Sequence, residues 1–238
     1  MKILGLDSSG IVASVAIVED DVLIAEYTVN YKKTHSQTLL PMLDEIAKMT
    51  ELDLNSIDAI VVAAGPGSFT GLRIGSATAK GLGLALDKPL IGIPTVEALA
   101  YNLYDVNGLI CPIMDARRKQ VYTGLYLFSH EVKDGTHLTE AAFHVEEQQM
   151  AIAVEELISK LNAYKRPVVF LGDGVPVYRQ MLEEGLEVPY SFAPSYMNRQ
   201  RAAVVGALGI AYYYAGKYET AEAHKPDYLR VSQAERER

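Results

Sequence analysis

The chain of 238 residues contains a single cysteine and no stretch of apolar residues long enough to span a bilayer. One thiol, Cys111, cannot form an internal disulfide, so this composition fits the reducing environment of the cytoplasm. Cys111 lies in the apolar run 109–114 and is interpreted as a small core residue rather than a nucleophile. No basic leader precedes an apolar segment, and we therefore expect a cytoplasmic protein without contact to a membrane.

Basic residues are also few. The chain has 22 lysines and arginines against 30 aspartates and glutamates, which gives a formal net charge of −8. A protein that holds nucleic acid on its own surface usually needs a basic face. The short cluster Arg117-Arg118-Lys119 is typical of a solvated loop. If nucleic acid is involved, we expect another subunit to carry it.

The most specific pattern lies between residues 59 and 86. Residues 59–64 form a continuous apolar run, typical of a strand buried on both faces, and the turn Gly65-Pro66-Gly67 then ends it. We predict a helix over 70–86, capped by Ser68 or Thr70. One stripe of this helix carries only small residues, which indicates that another backbone comes very close: Gly71, Gly75, Ala79 and Gly83.

Two interpretations of this turn stay open. Backbone N–H groups at the start of the helix would attract a phosphate, or the turn is a tight strand-to-helix joint that binds nothing. It matches neither a Walker loop nor a dinucleotide-binding fingerprint, because the Gly-Lys-Ser/Thr sequence and the three-glycine spacing are missing. Spacing alone favours the joint.

The order of elements repeats along the chain. The first half shows strands at 2–7, 11–18 and 22–31, a helix at 36–49, a strand at 58–64, the helix at 70–86, a strand at 90–93 and a helix at 95–104. The second shows strands at 109–115, 121–128 and 137–145, a helix at 147–162, a strand at 166–171 and helices at 175–183 and 199–215. Asp7 and Asp115 end corresponding strands, 108 positions apart. We predict a duplicated α/β domain with mixed sheets and halves at 1–106 and 107–238, leaving open whether the C-terminal helix and tail pack back on the first half.

At this point the motifs resemble one family. They are ILGLDSS at 3–9, HSQTLLPML at 35–43, GPGSFTGLRIG at 65–75, MDARR at 114–118, and KPDYLR at 225–230 followed by Ala234-Glu235. Over nearly the whole chain they resemble the TsaB (YeaZ) family, the bacterial partner subunits in threonylcarbamoyladenosine (t6A) modification of tRNA. The resemblance implies the α/β fold of actin, sugar kinases and Hsp70 (ASKHA), with two ribonuclease-H-like halves and mixed sheets.

The resemblance also implies a function. Such a subunit supports transfer of a threonylcarbamoyl group to the adenosine beside the anticodon in tRNAs that read codons beginning with A. It is non-catalytic and serves as dimerisation partner and scaffold for the catalytic subunit TsaD. The ATPase TsaE is a further implied partner, ATP and metal belong to the partner subunits, and tRNA is bound only through the complex. Alone, the protein would form a homodimer and carry no cofactor.

The catalytic paralogue TsaD holds a metal with two histidines four residues apart on its first helix. Here His35 is followed four positions later by Leu39, and an imidazole with a leucine cannot share an ion, so we expect no metal site. The two helices at 36–49 and 70–86 would instead bind the partner. The residues assigned to that contact are His35, Leu39, Leu43, Ile46, Gly71, Arg73, Gly75, Ala79 and Gly83. The alternative is that both helices pack on their own sheet, and we favour a mixture in which their outer faces meet the partner.

The nucleotide-binding parts of the fold are sparse. In phosphotransferases of this type the aspartate ending the first strand positions metal and phosphate, but the turn Ser8-Ser9-Gly10 is short and lacks a lysine. The turn 172–174 could touch an adenosine, yet Val175-Pro176 follows where free N–H groups are needed. We therefore assign a vestigial nucleotide site to Asp7, Ser8, Asp115, Gly172 and Gly174. The alternative functions are a metal-dependent glycoprotease-like peptidase and an ATP-dependent small-molecule kinase.

Overall fold

The computed structural model describes residues 1–31, 35–133, 137–138 and 141–229. The end of the last family motif, from Arg230 through Ala234-Glu235, lies outside these residues. The chain divides into two compact units, one of residues 1–98 with the chain from 200 onward and one of residues 99–199. Within the described residues, no helix combines the length and the apolar character that crossing a membrane requires.

The first unit is built on a five-stranded mixed sheet in the order β3-β2-β1-β4-β5. The pairing of β1 is antiparallel with β2 and parallel with β4. The strands are β1 (Lys2–Asp7), β2 (Val12–Glu19), β3 (Val22–Asn30), β4 (Ala59–Gly65) and β5 (Leu90–Pro94). The helices up to this point of the chain are α1 (Leu39–Thr50), α2 (Phe69–Leu86) and α3 (Thr95–Tyr101), with short 3₁₀ helices at His35–Gln37 and Leu54–Ser56.

The second unit repeats this plan. Its elements are β6 (Leu109–Asp115), β7 (Gln120–Ser129), β8 (Val132–Lys133), β9 (His137–Leu138), β10 (Ala142–Ala153), α4 (Val154–Tyr164), β11 (Val168–Leu171), α5 (Val175–Gly185) and β12 (Tyr190–Phe192). The sheet order is β10-β7-β6-β11-β12, with β6 antiparallel to β7 and parallel to β11. Three antiparallel strands followed by two parallel ones occur in both units. This confirms the predicted duplication and the ASKHA fold.

Helices cover both faces of the first sheet. Leu4, Leu6 and Ile60 point to one face, where they form a core with the inner side chains of α1 and with Ala79 of α2. The alternate residues of the same strands face the last helix, α6 (Ala202–Tyr214), because side chains alternate along a strand. A Cβ atom at Gly206 would lie 2.9 Å from Val18, so glycine is what lets this helix approach the sheet.

Two expectations need correction. The boundaries of the second unit are 99 and 199 rather than 107 and 238, and the open question about the C-terminal helix is answered, since α6 packs on the first sheet. The predicted helix at 147–162 is wrong in its first half: β10 runs to Ala153 and the helix begins only at Val154. The glutamates and glutamines at 146–149 have good helix propensity, but pairing of β10 with β7, with two register shifts, overrides it.

Candidate functional site

The Gly-Pro-Gly turn is a joint between β4 and α2 that packs on the turn after β1. Ser68 is the N-cap of α2, its hydroxyl accepting from the N–H of Gly71 at 3.3 Å, as the sequence predicts. Its own N–H donates to the carbonyl of Ser9 at 2.7 Å. A Cβ atom at Gly67 would collide with that same carbonyl. Two of the donors at this helix start, the N–H groups of Ser68 and Gly71, are therefore engaged within the chain, which favours the joint over an anion site.

The small-residue stripe of α2 faces the interior of the unit. A Cβ atom at Gly71 would collide with the carbonyl of Ser8, and one at Gly75 would meet the Ser8 hydroxyl. That hydroxyl donates to the carbonyl of Gly71 at 2.9 Å. The backbone that comes close is thus the protein's own β1–β2 turn. The interior position corrects the assignment of Gly71, Gly75, Ala79 and Gly83 to a partner surface.

The first helix gives a similar correction. Leu39, Leu43 and Ile46 are between 1% and 5% exposed and belong to the core under the sheet. His35 lies in the short 3₁₀ helix before α1, where its Nε2 is 2.9 Å from the carbonyl oxygen of Gly10. Only His35 and Arg73 of the assigned residues reach the surface, since Arg73 is exposed and His35 is half-buried.

A second face of α2 is open. On α2 the exposed positions include a second small-residue row, Ala77, Gly81 and Ala85, beside Arg73 and Leu84. Apart from the nearby backbone of α2 itself, no heavy atom of the described residues lies within 4 Å of a Cβ built at Gly81. On α1 the exposed apolar side chains are Leu40 and Met49, the latter 79% exposed. We call the exposed side of α2 the outer face, and define it by Arg73, Ala77, Gly81, Leu84 and Ala85. Leu40 and Met49 are not part of it, because at 3.6 residues per turn they lie on opposite sides of α1.

The segment after α6 crosses the start of α2. Asp227 donates its N–H to the carbonyl of Ala64 at 2.7 Å. The ring of Tyr228 stacks on Phe69 with centroids 4.7 Å apart, and its hydroxyl accepts from Arg73 Nε at 3.3 Å. The motifs at 65–75 and 225–230 therefore meet in space. Sequence spacing gives no signal of this, because the two motifs are far apart in the chain.

Asp7 is buried at the end of β1. One carboxylate oxygen accepts from the N–H and the hydroxyl of Ser9, at 2.9 and 2.7 Å. The other oxygen has no hydrogen-bond partner in the part of the chain that the structure describes. Burial raises the pKa of Asp7 to about 6, although the Ser9 hydrogen bonds and the charge of His35 act to lower it. Its pKa thus lies far closer to neutrality than that of an exposed aspartate.

In the second unit, Asp115 ends β6 at the corresponding place. Its carboxylate accepts from the Tyr178 hydroxyl at 2.7 Å, and its N–H donates to Asp173 at 3.1 Å. Burial raises the pKa of Asp173. Gly172 has φ of +107°, and Gly174 donates its N–H to the carbonyl of Ile113 at 3.0 Å. These groups satisfy one another, which is what a turn between β11 and α5 requires.

The basic cluster after β6 is a left-handed turn. Arg117, Arg118 and Lys119 have φ of 65°, 56° and 55°, a region that non-glycine residues seldom adopt. The side chain of Arg117 is 87% exposed and lies 3.6 Å from Asp115. The cluster is therefore solvated, as its sequence indicates.

A metal centre finds no support among the described residues. No three histidine, cysteine, aspartate or glutamate side chains within residues 1–31, 35–133, 137–138 and 141–229 come together in a way that could hold an ion. Leu39, at the position where TsaD is expected to have its second histidine, is inside the core.

Comparison with known proteins adds the family. A family model described as TsaD, tRNA N6-adenosine threonylcarbamoyltransferase, matches residues 23–238. A protein of Bacillus subtilis (strain 168) named tRNA threonylcarbamoyladenosine biosynthesis protein TsaB is 35% identical over 237 residues, covering 99% of this chain and 96% of its own. A TsaB protein of Haemophilus influenzae is 32% identical over 197 residues, with 78% of each chain covered.

Solved structures agree. The structure described as YeaZ from Pseudomonas aeruginosa matches with a TM-score of 0.73 and 26% identity, covering 96% of this chain and 99% of its own. A second structure from that organism, described as an uncharacterized protein with similarity to peptidase YEAZ, gives a TM-score of 0.77 at 25% identity and the same coverage. Together with the motifs at both ends of the chain, these matches show that the protein belongs to the TsaB (YeaZ) family.

Proposed function

We propose that this protein acts in the biosynthesis of threonylcarbamoyladenosine in tRNA as a non-catalytic subunit, the dimerisation partner and scaffold of TsaD. It supports transfer of the threonylcarbamoyl group to the adenosine beside the anticodon in tRNAs reading codons that begin with A. The pathway rests on relatives named TsaB that match 99% and 78% of this chain. The role within the pathway is inferred from the β1–β2 turn and from the outer face, because a fold by itself does not establish an activity.

The lack of catalysis is inferred from the residues around the β1–β2 turn. The only imidazole near that turn among the described residues is His35, and its Nε2 already faces the Gly10 carbonyl. Leu39 packs in the core four positions later. The turn itself is covered by α2, so that the Ser8 carbonyl and hydroxyl face glycines rather than a ligand. These features favour a scaffold over a peptidase or a kinase.

The outer face of α2 is the observation that carries the partner role. It combines the exposed apolar side chain of Leu84 with the row Ala77, Gly81 and Ala85 at a spacing of four. Small residues in such a row let a second helix approach closely, and the apolar side chain beside them would be buried by it. A pair of helices on a partner fits this surface.

The decisive experiment places a charge on the outer face. We expect Ala77→Arg to weaken binding of TsaD at least tenfold in calorimetric titration and to reduce t6A formation in a reconstituted reaction. The control is Ala211→Arg, an exposed alanine on α6 of the same unit. Unchanged TsaD affinity in the Ala77 variant would remove the proposed interface. Steady turnover of ATP or of a peptide by the purified protein alone would remove the non-catalytic role.

We further propose that the isolated protein forms a homodimer through the same outer face, because two-fold pairing is the commonest way to cover such a surface. Homodimer and TsaD heterodimer then exclude each other. Sedimentation of mixtures should show the homodimer disappearing as the heterodimer forms, and one particle containing both contacts would contradict this.

The remaining partners follow the same proposal. TsaE joins as the ATPase, the ATP and metal used in the reaction are bound by the partner subunits, and tRNA is held through the complex in the cytoplasm. The formal net charge of −8 supports the binding of tRNA through the complex, because a protein that holds nucleic acid on its own surface usually needs a basic face. Gel-shift titration of tRNA, with the protein alone and with TsaD and TsaE added, tests this part of the proposal. Binding of tRNA by the protein alone would contradict it.

A further inference from the structure

A cavity of about 360 Å³ opens at the outer edge of β5, beside the segment that follows α6. The residues that matter for its chemistry are Gly92, Lys217, Tyr218, His224 and Lys225. Its volume lies within the range of small-molecule sites. It is distant in sequence from the Asp7 turn and from the outer face, and of its lining only Lys225 belongs to one of the family motifs.

His224 is the first sign of a ligand. Its side chain is 1% exposed, and its Nδ1 is 2.8 Å from a carboxylate oxygen of Glu219. This contact fixes the ring, while Nε2 has no hydrogen-bond partner in the described part of the chain. Unpaired buried polar atoms are costly and rare. A ligand in the cavity that hydrogen-bonds to Nε2 would supply the missing partner.

Two lysines give the same lining a positive character. Lys217 and Lys225 both border the cavity and are exposed. The ammonium group of Lys217 lies 4.5 Å from the ring centroid of Tyr212, which orients it. The Tyr212 hydroxyl in turn donates to Glu97 at 2.9 Å. Among the residues that line the cavity, the two lysines outnumber the single carboxylate, Glu219.

The edge of β5 adds a backbone donor. Leu90 exchanges both of its backbone hydrogen bonds with Glu219, at 2.9 Å each. Backbone groups that point to one edge of a strand recur at every second residue, so the N–H of Gly92 faces the same edge. Gly92 also has no side chain, which leaves space beside the His224 ring. A Cβ atom at this position would lie 3.4 Å from that ring.

We propose that this cavity binds a phosphate group, held by Lys217 and Lys225 with the imidazole of His224 and the N–H of Gly92. This phosphate group belongs either to free phosphate or to a nucleotide. Only a nucleotide has a base that could contact Tyr218. The Tyr218 ring lines the cavity, is 52% exposed, and is stacked on Tyr213 with centroids 5.0 Å apart. A ring held in this way offers a platform on which a base can stack.

The test uses the full chain and three probes: inorganic phosphate, AMP, and adenosine as the uncharged control. Each is titrated to about 10 mM while the amide signals of Gly92 and His224 are followed by NMR, because a single weak anion site has a dissociation constant in the millimolar range. We expect saturable shifts with phosphate or AMP and none with adenosine. Tighter binding of AMP than of phosphate identifies a nucleotide, and equal binding identifies free phosphate.

Variants decide whether the shifts belong to this cavity. Lys217→Ala and Lys225→Ala change exposed side chains and should each weaken binding about tenfold with an unchanged melting temperature. The matched control is Lys88→Ala, a lysine that borders the neighbouring cavity but not this one. The proposal is overturned if no probe shifts these amides, if adenosine binds as well as AMP, or if the Lys88 variant loses as much affinity as the other two.

Discussion

Replacing two glycines of α2 by leucine should have opposite effects on stability, because the two residues lie on opposite faces of one helix. At Gly75 even a Cβ atom would lie 2.5 Å from the Ser8 hydroxyl and 3.5 Å from Val62. The three further carbons of leucine must displace the β1–β2 turn or the helix. Overpacking of this kind costs about 1–3 kcal/mol. At Gly81, in the part of the chain that the structure describes, nothing beyond the helix's own backbone lies within 4 Å of the added Cβ.

The exposed position should gain rather than lose stability. Glycine inside a helix is less favourable than leucine by roughly 0.8 kcal/mol, so Gly81→Leu removes that penalty. For a chain of this size 1 kcal/mol shifts the melting temperature by about 2–4 °C. We therefore expect Gly75→Leu to melt several degrees below the parent protein and Gly81→Leu a few degrees above it.

Binding should show the reverse order. Gly81→Leu fills the row where a partner helix would approach, and a loss of about 1.4–3 kcal/mol there corresponds to a ten- to hundredfold weaker complex with TsaD. Gly75→Leu, measured below its melting temperature, should bind almost normally. Calorimetric melting and titration on the same two proteins provide the comparison. A stable Gly75 variant that no longer binds TsaD would refute the assignment of the inner and outer faces.

Three further predictions concern buried groups and the C-terminal segment. Burial raises the pKa of Asp7 to about 6, so the folded state takes up a proton between pH 6 and 4 and the free energy of unfolding falls as pH rises through that window. In melts from pH 4 to 7, Asp7→Asn should reduce the change of the unfolding free energy with pH by about 2–3 kcal/mol. The same change with pH in the variant and the parent protein would contradict this prediction. Burial raises the pKa of the Cys111 thiol to about 12, so Ellman's reagent at pH 8 should react only after urea is added, and rapid reaction of the native protein would contradict this. Tyr228→Ala should remove the stack on Phe69, worth about 0.5–1.5 kcal/mol beyond burial, and speed proteolysis of the C-terminal segment, whereas the exposed Tyr196→Ala should not; equal rates would show that the stack does not hold the segment.

The sequence predicts most of the fold because hydrophobic periodicity and turn residues act locally. Strand β1, the helix at 69–86 and its Ser68 cap lie close to where their patterns place them. The helix predicted over 147–162 fails at its start because its polar residues suit a helix, and only pairing with β7 makes them a strand. Strand β12, three residues long, has too little pattern to be recognised.

The site shows the same limit more sharply. The spacing of Gly71, Gly75, Ala79 and Gly83 correctly indicates a close backbone approach, but spacing cannot say which backbone. The answer, the Ser8 turn, depends on contacts between residues more than sixty positions apart. The row Ala77, Gly81 and Ala85 lies in the same helix at the same spacing of four, with one glycine instead of three. Only burial distinguishes the two faces.

The discontinuity of the first unit has a consequence for synthesis on the ribosome. Its sheet is complete once β5 has been made, but one face remains uncovered until α6 emerges, more than a hundred residues later. The unit of residues 99–199 is continuous and can fold as soon as it leaves the exit tunnel. The second unit of the chain is therefore free to fold before the first is finished, the reverse of the usual N-terminal-first order. Until then the nascent chain exposes the apolar side chains of β1 and β4 that α6 will cover, and a stalled or truncated chain ending before residue 200 would be a natural target for chaperones.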